Sequence, residues 1–108
     1  MPETVAISRE AKLDILDIWL YISEIEGMSE ADKIITKLEK VILSLSQNPE
    51  RGHIPPELEN VNEFNYREVH SLPYRIIYKT RSSEIIVYCV FDGGRDIQSL
   101  LQKRLIRV

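Results

Sequence analysis

Apolar residues in the first half of the chain recur at spacings of three and four. Ile15, Ile18, Trp19 and Ile22 mark one helical face between Ala11 and Ile25, widened by Leu13, Leu16 and Leu20, with Asp14, Asp17 and Glu24 on the wet side. Ser8 stands where a helix N-cap belongs, Glu10 falls in the first turn, and Gly27 is a plausible stop. A second stripe follows at once: Ile34, Ile35, Leu38, Val41, Ile42 and Leu45. Ser29 to Asp32 fits a capping box before it, and Asn48-Pro49 ends it. So short a connection predicts an antiparallel helical hairpin. Pro49 to Asn62, with Gly52, Pro55 and Pro56, reads as a long loop without regular structure.

Beyond the loop the period changes. Phe64–His70, Tyr74–Lys79 and Glu84–Phe91 read as three consecutive antiparallel strands, joined by Leu72-Pro73 and by Thr80–Ser83. Glu84–Phe91 is nearly unbroken in its apolar run, which predicts burial on both faces. Alternation puts Tyr74, Ile76 and Tyr78 on the greasier face, the natural seat for the helices. Arg75 and Lys79 then point to an opposite, open face, where Arg67 can join them. Thr4–Ile7 is a further short strand, and Ile97, Leu100, Leu101 and Leu105 mark a short terminal helix after the Asp92–Asp96 turn, where Asp96 can cap it. The expected class is α+β: an N-terminal strand and an α-helical hairpin packed on one face of a small, mainly antiparallel sheet, with a short C-terminal helix. One domain over residues 1–108 suits the length.

Composition narrows the function. Apolar residues make up 44%, which argues against global disorder, and no run reaches the length of a membrane span. The first residues carry no basic segment followed by an apolar one, so no signal peptide is visible. One cysteine, Cys89, lies inside the apolar strand and cannot form an internal disulfide; it reads as buried and inert, and the expected compartment is the cytoplasm. Residues 1–50 hold five basic and ten acidic side chains, a balance of −5; residues 51–108 hold nine and seven, a balance of +2. A dedicated nucleic-acid binder is usually basic throughout, so any such contact here needs a local patch in the second half.

The candidate chemistry lies there. Arg67, Arg75 and Lys79 read either as a cationic surface or as solvated strand charges that protect against edge pairing. Lys103 and Arg104 occupy the outer face of the terminal helix, with Arg107 beyond. Glu57 is the loop acid of most interest. His53 could serve as a base or a ligand, but no second His or Cys lies near it in sequence, which makes an ordinary loop histidine the better reading.

The ordered set Tyr66-Arg67-Glu68-Val69, Tyr74-Arg75-Ile76-Ile77-Tyr78 and Val90-Phe91-Asp92-Gly93-Gly94-Arg95-Asp96-Ile97 with Leu100-Leu101, after the Ala11–Ile22 helix and the Asn48-Pro49…Gly52 exit, resembles the RelE/ParE superfamily of bacterial toxins. The resemblance covers nearly the whole chain. It implies a small toxin neutralised by a cognate antitoxin, hence a hetero-oligomer, with no cofactor, metal or membrane involved. RelE-like members cut mRNA on the ribosome; ParE-like members poison DNA gyrase. In a RelE-like nuclease Arg75 and Arg95 would face the phosphate, and Glu57 or Glu68 would act as base. In a ParE-like toxin Arg67, Arg75, Arg95, Lys103 and Arg104 would contact the target. The last segment lacks the His or Tyr usual in RelE-like enzymes, the loop lacks their paired lysines, and the pI near 5.4 suits ribosomal RNA poorly. The turn also has Gly94-Arg95 where many members have two arginines. The departures in the last segment, the loop and the pI favour a ParE-like toxin that acts by binding gyrase, whereas the Gly94-Arg95 turn departs from both kinds. The alternatives are a ribosome-dependent endoribonuclease and an inactive remnant that only binds antitoxin.

Overall fold

The computed structural model describes residues 4–59, 66–93 and 103–104. The expected α+β architecture is present: β1 (Thr4–Ile7), α1 (Arg9–Glu26), α2 (Met28–Ser44), α3 (Pro56–Glu59), β2 (Tyr66–Ser71), β3 (Tyr74–Arg81) and β4 (Glu84–Asp92). Phe64, Arg95, Asp96 and all of the expected terminal helix except Lys103 and Arg104 lie outside the described residues.

The Ser8 hydroxyl caps α1 by accepting from the Ala11 amide at 3.1 Å. The helix ends at Gly27, whose φ of +94° is open to glycine and strained for any L side chain. That one residue links the two helices, so α2 starts earlier than the pattern predicts. Its cap is Gly27 without a side-chain bond, and the expected Ser29–Asp32 box is not used. Asp32 instead accepts from the Trp19 indole at 2.8 Å and ties α2 to α1.

The sheet order is β1-β4-β3-β2, with β1 parallel to β4 and the other pairs antiparallel. The two-residue link Leu72-Pro73 pairs Ser71 with Tyr74 and thereby His70 with Arg75. In β4 the register slips: Tyr78 faces Val87 and Ile77 faces Cys89, leaving Tyr88 as the extra residue of a bulge. The slip turns both Tyr88 and Cys89 toward the same side, which is how an apolar run serves two faces without strict alternation.

Helices cover one face. Ala11, Leu38, Ile42 and Leu45 pack against Val69, Ile76, Tyr78, Ile85, Val87 and Val90. The greasier set of β3 does face the helices, as alternation implies. The expected α1 face holds, with Ile22 buried and Ile15 and Ile18 packed on this core, but the residues expected to widen it do not. Leu13, Leu16 and Leu20 are 45–50% exposed, while Asp14, expected in water, accepts the Val90 amide at 3.0 Å on the stretch of β4 beyond the reach of β1.

The second face is not open. Leu58 closes it over Tyr66, Ile77, Cys89 and Phe91, forming a smaller core. Leu58 comes from α3, a helical turn that begins at Pro56 inside the supposedly irregular loop. Proline suits the first helical position because the amide it lacks would be unpaired there anyway.

Candidate functional site: an ion-paired arginine beside two histidines

The loop after α2 is laid along the outer edge of β2. His53 and Glu68 exchange backbone hydrogen bonds of 3.1 and 2.7 Å. The Tyr78 hydroxyl accepts from the Gly52 amide at 3.1 Å and donates to the Pro49 carbonyl at 2.7 Å. Gly52 is required by contact: a Cβ there would lie 2.5 Å from the Glu68 carbonyl oxygen and 2.8 Å from the Tyr78 hydroxyl. This path delivers Glu57 and His53 to the second face of the sheet.

There Arg75 makes four hydrogen bonds among the described residues. It donates from Nε to Glu68 Oε1 and from Nη2 to Glu68 Oε2, each at 2.7 Å. It also donates from Nη1 to Glu57 Oε2 at 2.8 Å and from Nη2 to Glu57 Oε1 at 2.7 Å. Its guanidinium lies 5.2 Å from the centroid of the Phe91 ring. The register explains the pairing. Glu68 and Arg75 are diagonal neighbours on one face, close enough for long side chains to meet. Arg75 does point away from the helices, but the open cationic face expected around it is closed by these two carboxylates and by Leu58. Glu68 is 1% exposed, so its charge must be compensated within the fold.

Hydrogen bonds from Arg75 hold the Glu57 carboxyl below its ordinary range against a smaller opposing effect of burial. Burial pushes Glu68 up more strongly, but bonds from Arg75 and His70, with the Arg75 charge, outweigh it and leave this carboxyl low as well. Hydrogen bonds to Glu57 and then Glu68 raise the Arg75 guanidinium further above an already high value. All three groups are therefore charged near neutrality, and the set carries a net −1.

Two imidazoles complete the cluster. His70 Nε2 lies 3.0 Å from Glu68 Oε1, and His53 Nε2 lies 3.4 Å from Glu68 Oε2. The two rings meet edge to face with centroids 5.5 Å apart. His53 thus has a histidine neighbour after all; separation along the chain hid it. The two-residue β2–β3 link was the available signal, because it fixes which residues stand beside Arg75.

The other candidates are dispersed. Arg67 pairs across the strands with Tyr78 and so lies on the helix side, apart from Arg75. It donates to the Gly52 carbonyl at 2.7 Å and to that of Glu50 at 3.4 Å, and no carboxylate among the described residues neutralises it. Lys79 sits 5.2 Å from the centroid of the Tyr66 ring. Lys103 is exposed, but Arg104, expected to face outward, is paired with Asp14 and Glu10 of α1. Arg95 lies outside the described residues. A cavity of about 470 Å³ between α1 and the β3–β4 end carries Asp14, Asp17 and Asp92 against Arg104 on its wall, and Arg104 is already paired with Asp14. Burial pushes the Cys89 thiol up to about 12, so it is an inert side chain of the core.

A strand, a helical hairpin and a mixed four-stranded sheet with this order define an α+β toxin fold of the RelE/ParE kind. The profile of the family described as "ParE toxin of type II toxin-antitoxin system, parDE" matches residues 5–97, and the chain belongs to that family. Solved structures share the fold at low identity. The chromosomal ParDE toxin–antitoxin system of P. aeruginosa superposes with a TM-score of 0.69 at 16% identity, covering 83% of this chain and 95% of that one. The RelBE2 toxin–antitoxin complex of Mycobacterium tuberculosis gives 0.64 at 17%, covering 88% and 95%. A mutant of the E. coli toxin RelE in the free state gives 0.59 at 13%, covering 97% and 99%. No curated protein matches the sequence. No helix among the described residues is long and apolar enough to cross a membrane.

Proposed function

We propose that this protein is the toxin of a type II pair, held inactive by a cognate antitoxin, and that it arrests growth in the ParE manner by binding DNA gyrase. The family match supports the toxin reading. One observation tips it from cutting RNA toward binding: all four hydrogen bonds that Arg75 makes among the described residues go to Glu57 and Glu68. Stabilising a phosphorane-like transition state requires donors aimed at the developing charge. A guanidinium held between two carboxylates of its own chain would have to abandon them first. On this reading Arg67 and Lys103 are the described members of the expected set left for a target, with Arg95 as a third, while Arg75 and Arg104 shape the surface from within. The exposed row Leu13, Leu16 and Leu20 on α1 is apolar surface suited to an antitoxin segment lying over it.

Supercoiling assays with purified protein and gyrase test the proposal. The expected result is loss of supercoiling with trapped DNA breaks, reversed by antitoxin. Unimpaired supercoiling without breaks rejects it.

The RelE-like reading keeps one observation in its favour. His53 and His70 stand beside the Glu68–Arg75 pair and could exchange protons with a 2′-hydroxyl and a leaving oxygen. Primer extension on translated mRNA separates the two: codon-dependent cuts upon induction establish the nuclease and displace the gyrase reading.

A further inference from the structure

We propose that His53, Glu68 and His70 form a site for one divalent transition-metal ion of the zinc class, pinning the loop after α2 to β2. The proposal does not depend on the toxin's target.

One ligand atom from each of the three residues lies within 4.8 Å of the other two. A tetrahedral ion with bonds of roughly 2.0–2.2 Å sets its ligand atoms roughly 3.3–3.5 Å apart. Each imidazole already approaches a Glu68 oxygen at close to that spacing, 3.4 Å for His53 and 3.0 Å for His70. They approach different oxygens, so binding requires one ring to swing toward the oxygen that the other faces. Both histidine side chains are half exposed, at 58% and 43%, and have room to do so.

The carboxylate is the rigid member. It is buried, and Arg75 holds both of its oxygens while being held in turn by Glu57. An ionised carboxylate has about four lone-pair directions; the fork of Arg75 takes two and His70 Nε2 approaches a third, so the ion would replace that hydrogen bond, with release of any proton on the ligating nitrogen. This is the arrangement of a ligand oriented by an outer partner. The charges agree with it: Glu57 and Glu68 against Arg75 leave −1 facing the two rings before any ion arrives.

The donor set selects the ion. Two imidazoles and one carboxylate suit Zn²⁺ and its neighbours Co²⁺ and Ni²⁺, whereas Mg²⁺ and Ca²⁺ prefer all-oxygen shells. Three protein ligands leave a fourth position, which faces solvent here because both rings are exposed.

The ion would link segments that few other contacts join. Among the described residues His53 reaches β2 through a single backbone bridge, and the loop between it and α2 is held by the Tyr78 hydroxyl, by Arg67 and by the Arg51 bond to the Ser44 hydroxyl. Metal binding should therefore raise the thermal stability of the loop and of the β2 edge together.

The test uses the full chain, stripped with chelator and titrated with ZnCl₂, CoCl₂ or MgCl₂ alone. One equivalent of Zn²⁺ is expected to bind and raise the melting temperature; Co²⁺ should give a visible d–d spectrum with imidazole character, and Mg²⁺ should do neither. His53→Ala and His70→Ala should each weaken Zn²⁺ binding by roughly a hundredfold or more, since even an outer partner of a ligand is worth roughly ten- to a hundredfold. Should either alanine variant fail to fold, His53→Gln or His70→Gln replaces it. Absence of Zn²⁺ binding by the unaltered protein overturns the proposal, and so does binding that survives both substitutions or a cobalt spectrum without nitrogen ligation. Loss of binding in both variants, with their metal-free melting unchanged, supports it.

Discussion

The two faces of the sheet solve the same problem by different means. On the helix side, side chains of α1 and α2 meet Val69, Ile76, Tyr78, Ile85, Val87 and Val90 in an apolar core, with the Asp14–Arg104 pair at its border. On the other side a smaller core is roofed by Leu58 and walled by Arg75, Glu57 and Glu68. The first face tolerates imprecision, because burial is non-directional and scales with area. The second depends on geometry, because each buried charge must find its partner within hydrogen-bond distance. The first face is therefore scaffold. Specific chemistry can reside on the second, but only where its own charges are not already consumed.

Removing Arg75 should break that contrast most severely. Arg75→Ala leaves the buried Glu68 next to Glu57 with no cation between them. Breaking a buried pair in this way costs about 3–5 kcal/mol, read as a lower denaturant midpoint. Arg75→Met with Glu68→Leu, which removes both buried charges, should recover most of the loss. A cost for Arg75→Ala below about 1 kcal/mol would show that the network is a surface ornament. A growth-arrest assay of Arg75→Ala alone would therefore mislead: lost toxicity would report lost fold.

The opposite face offers the control. Leu38 is fully buried between the helices and the sheet. Leu38→Ala should cost about 2–5 kcal/mol, with a size set by how far the site collapses around the cavity. Unlike the arginine variant, it should cost the same at pH 4 and pH 7, since the buried cluster around it holds no carboxylate or imidazole. Unequal costs would mean that the two faces are coupled.

How far the sequence reveals each face follows from the same physics. The helix face was legible because periodicity is a local property: spacings of three and four place Leu38, Ile42 and Leu45 together, and alternation places Ile76 and Tyr78 opposite them. Gly27 shifted the start of α2 by a residue or so, which periodicity cannot resolve. The second face was legible in composition but not in arrangement. Glu57, Glu68 and Arg75 all stood out, yet as separate players, because their meeting depends on strand register and on the path of a loop. Part of this was recoverable, since a two-residue link between β2 and β3 fixes His70 opposite Arg75 and Glu68 on the diagonal. The approach of Glu57 and His53 was not. It depends on the Gly52 backbone passing against Glu68 and on a proline starting a helical turn where Pro55-Pro56 reads as a breaker.

Acid should separate the faces further. Glu57 and Glu68 both have carboxyl groups held below their unfolded values, the first by Arg75 hydrogen bonds and the second by those bonds overcoming burial. Their stabilisation is then complete above the unfolded value of about 4.3 and is lost as pH falls through the lower folded values. Among the described residues, His53, His70 and Arg75 are the other titratable groups facing them. Thermal unfolding followed from pH 7 downward should show a loss that begins near pH 4 to 5 and that shrinks in Glu57→Gln. An acid limb unchanged by that substitution would assign the loss to other carboxylates.

The smallest expected stability effect is the most informative about function, because it concerns the strand arginine that no carboxylate among the described residues neutralises. Arg67 spends its hydrogen bonds on the carbonyls of Gly52 and Glu50, so Arg67→Ala removes loop contacts without exposing a buried charge. A cost of about 0.5–1.5 kcal/mol follows. If Arg67 also meets the target, loss of a charge-assisted bond worth roughly 1.5–3 kcal/mol should weaken inhibition roughly ten- to a hundredfold at unchanged secondary structure. Arg67→Lys keeps the charge but not the fork, and should fall between the two. Full potency in Arg67→Ala would move the target surface away from the sheet, to Lys103 and the segment around it. Reduced potency that tracks the stability loss alone would make Arg67 a clamp on the loop and nothing more.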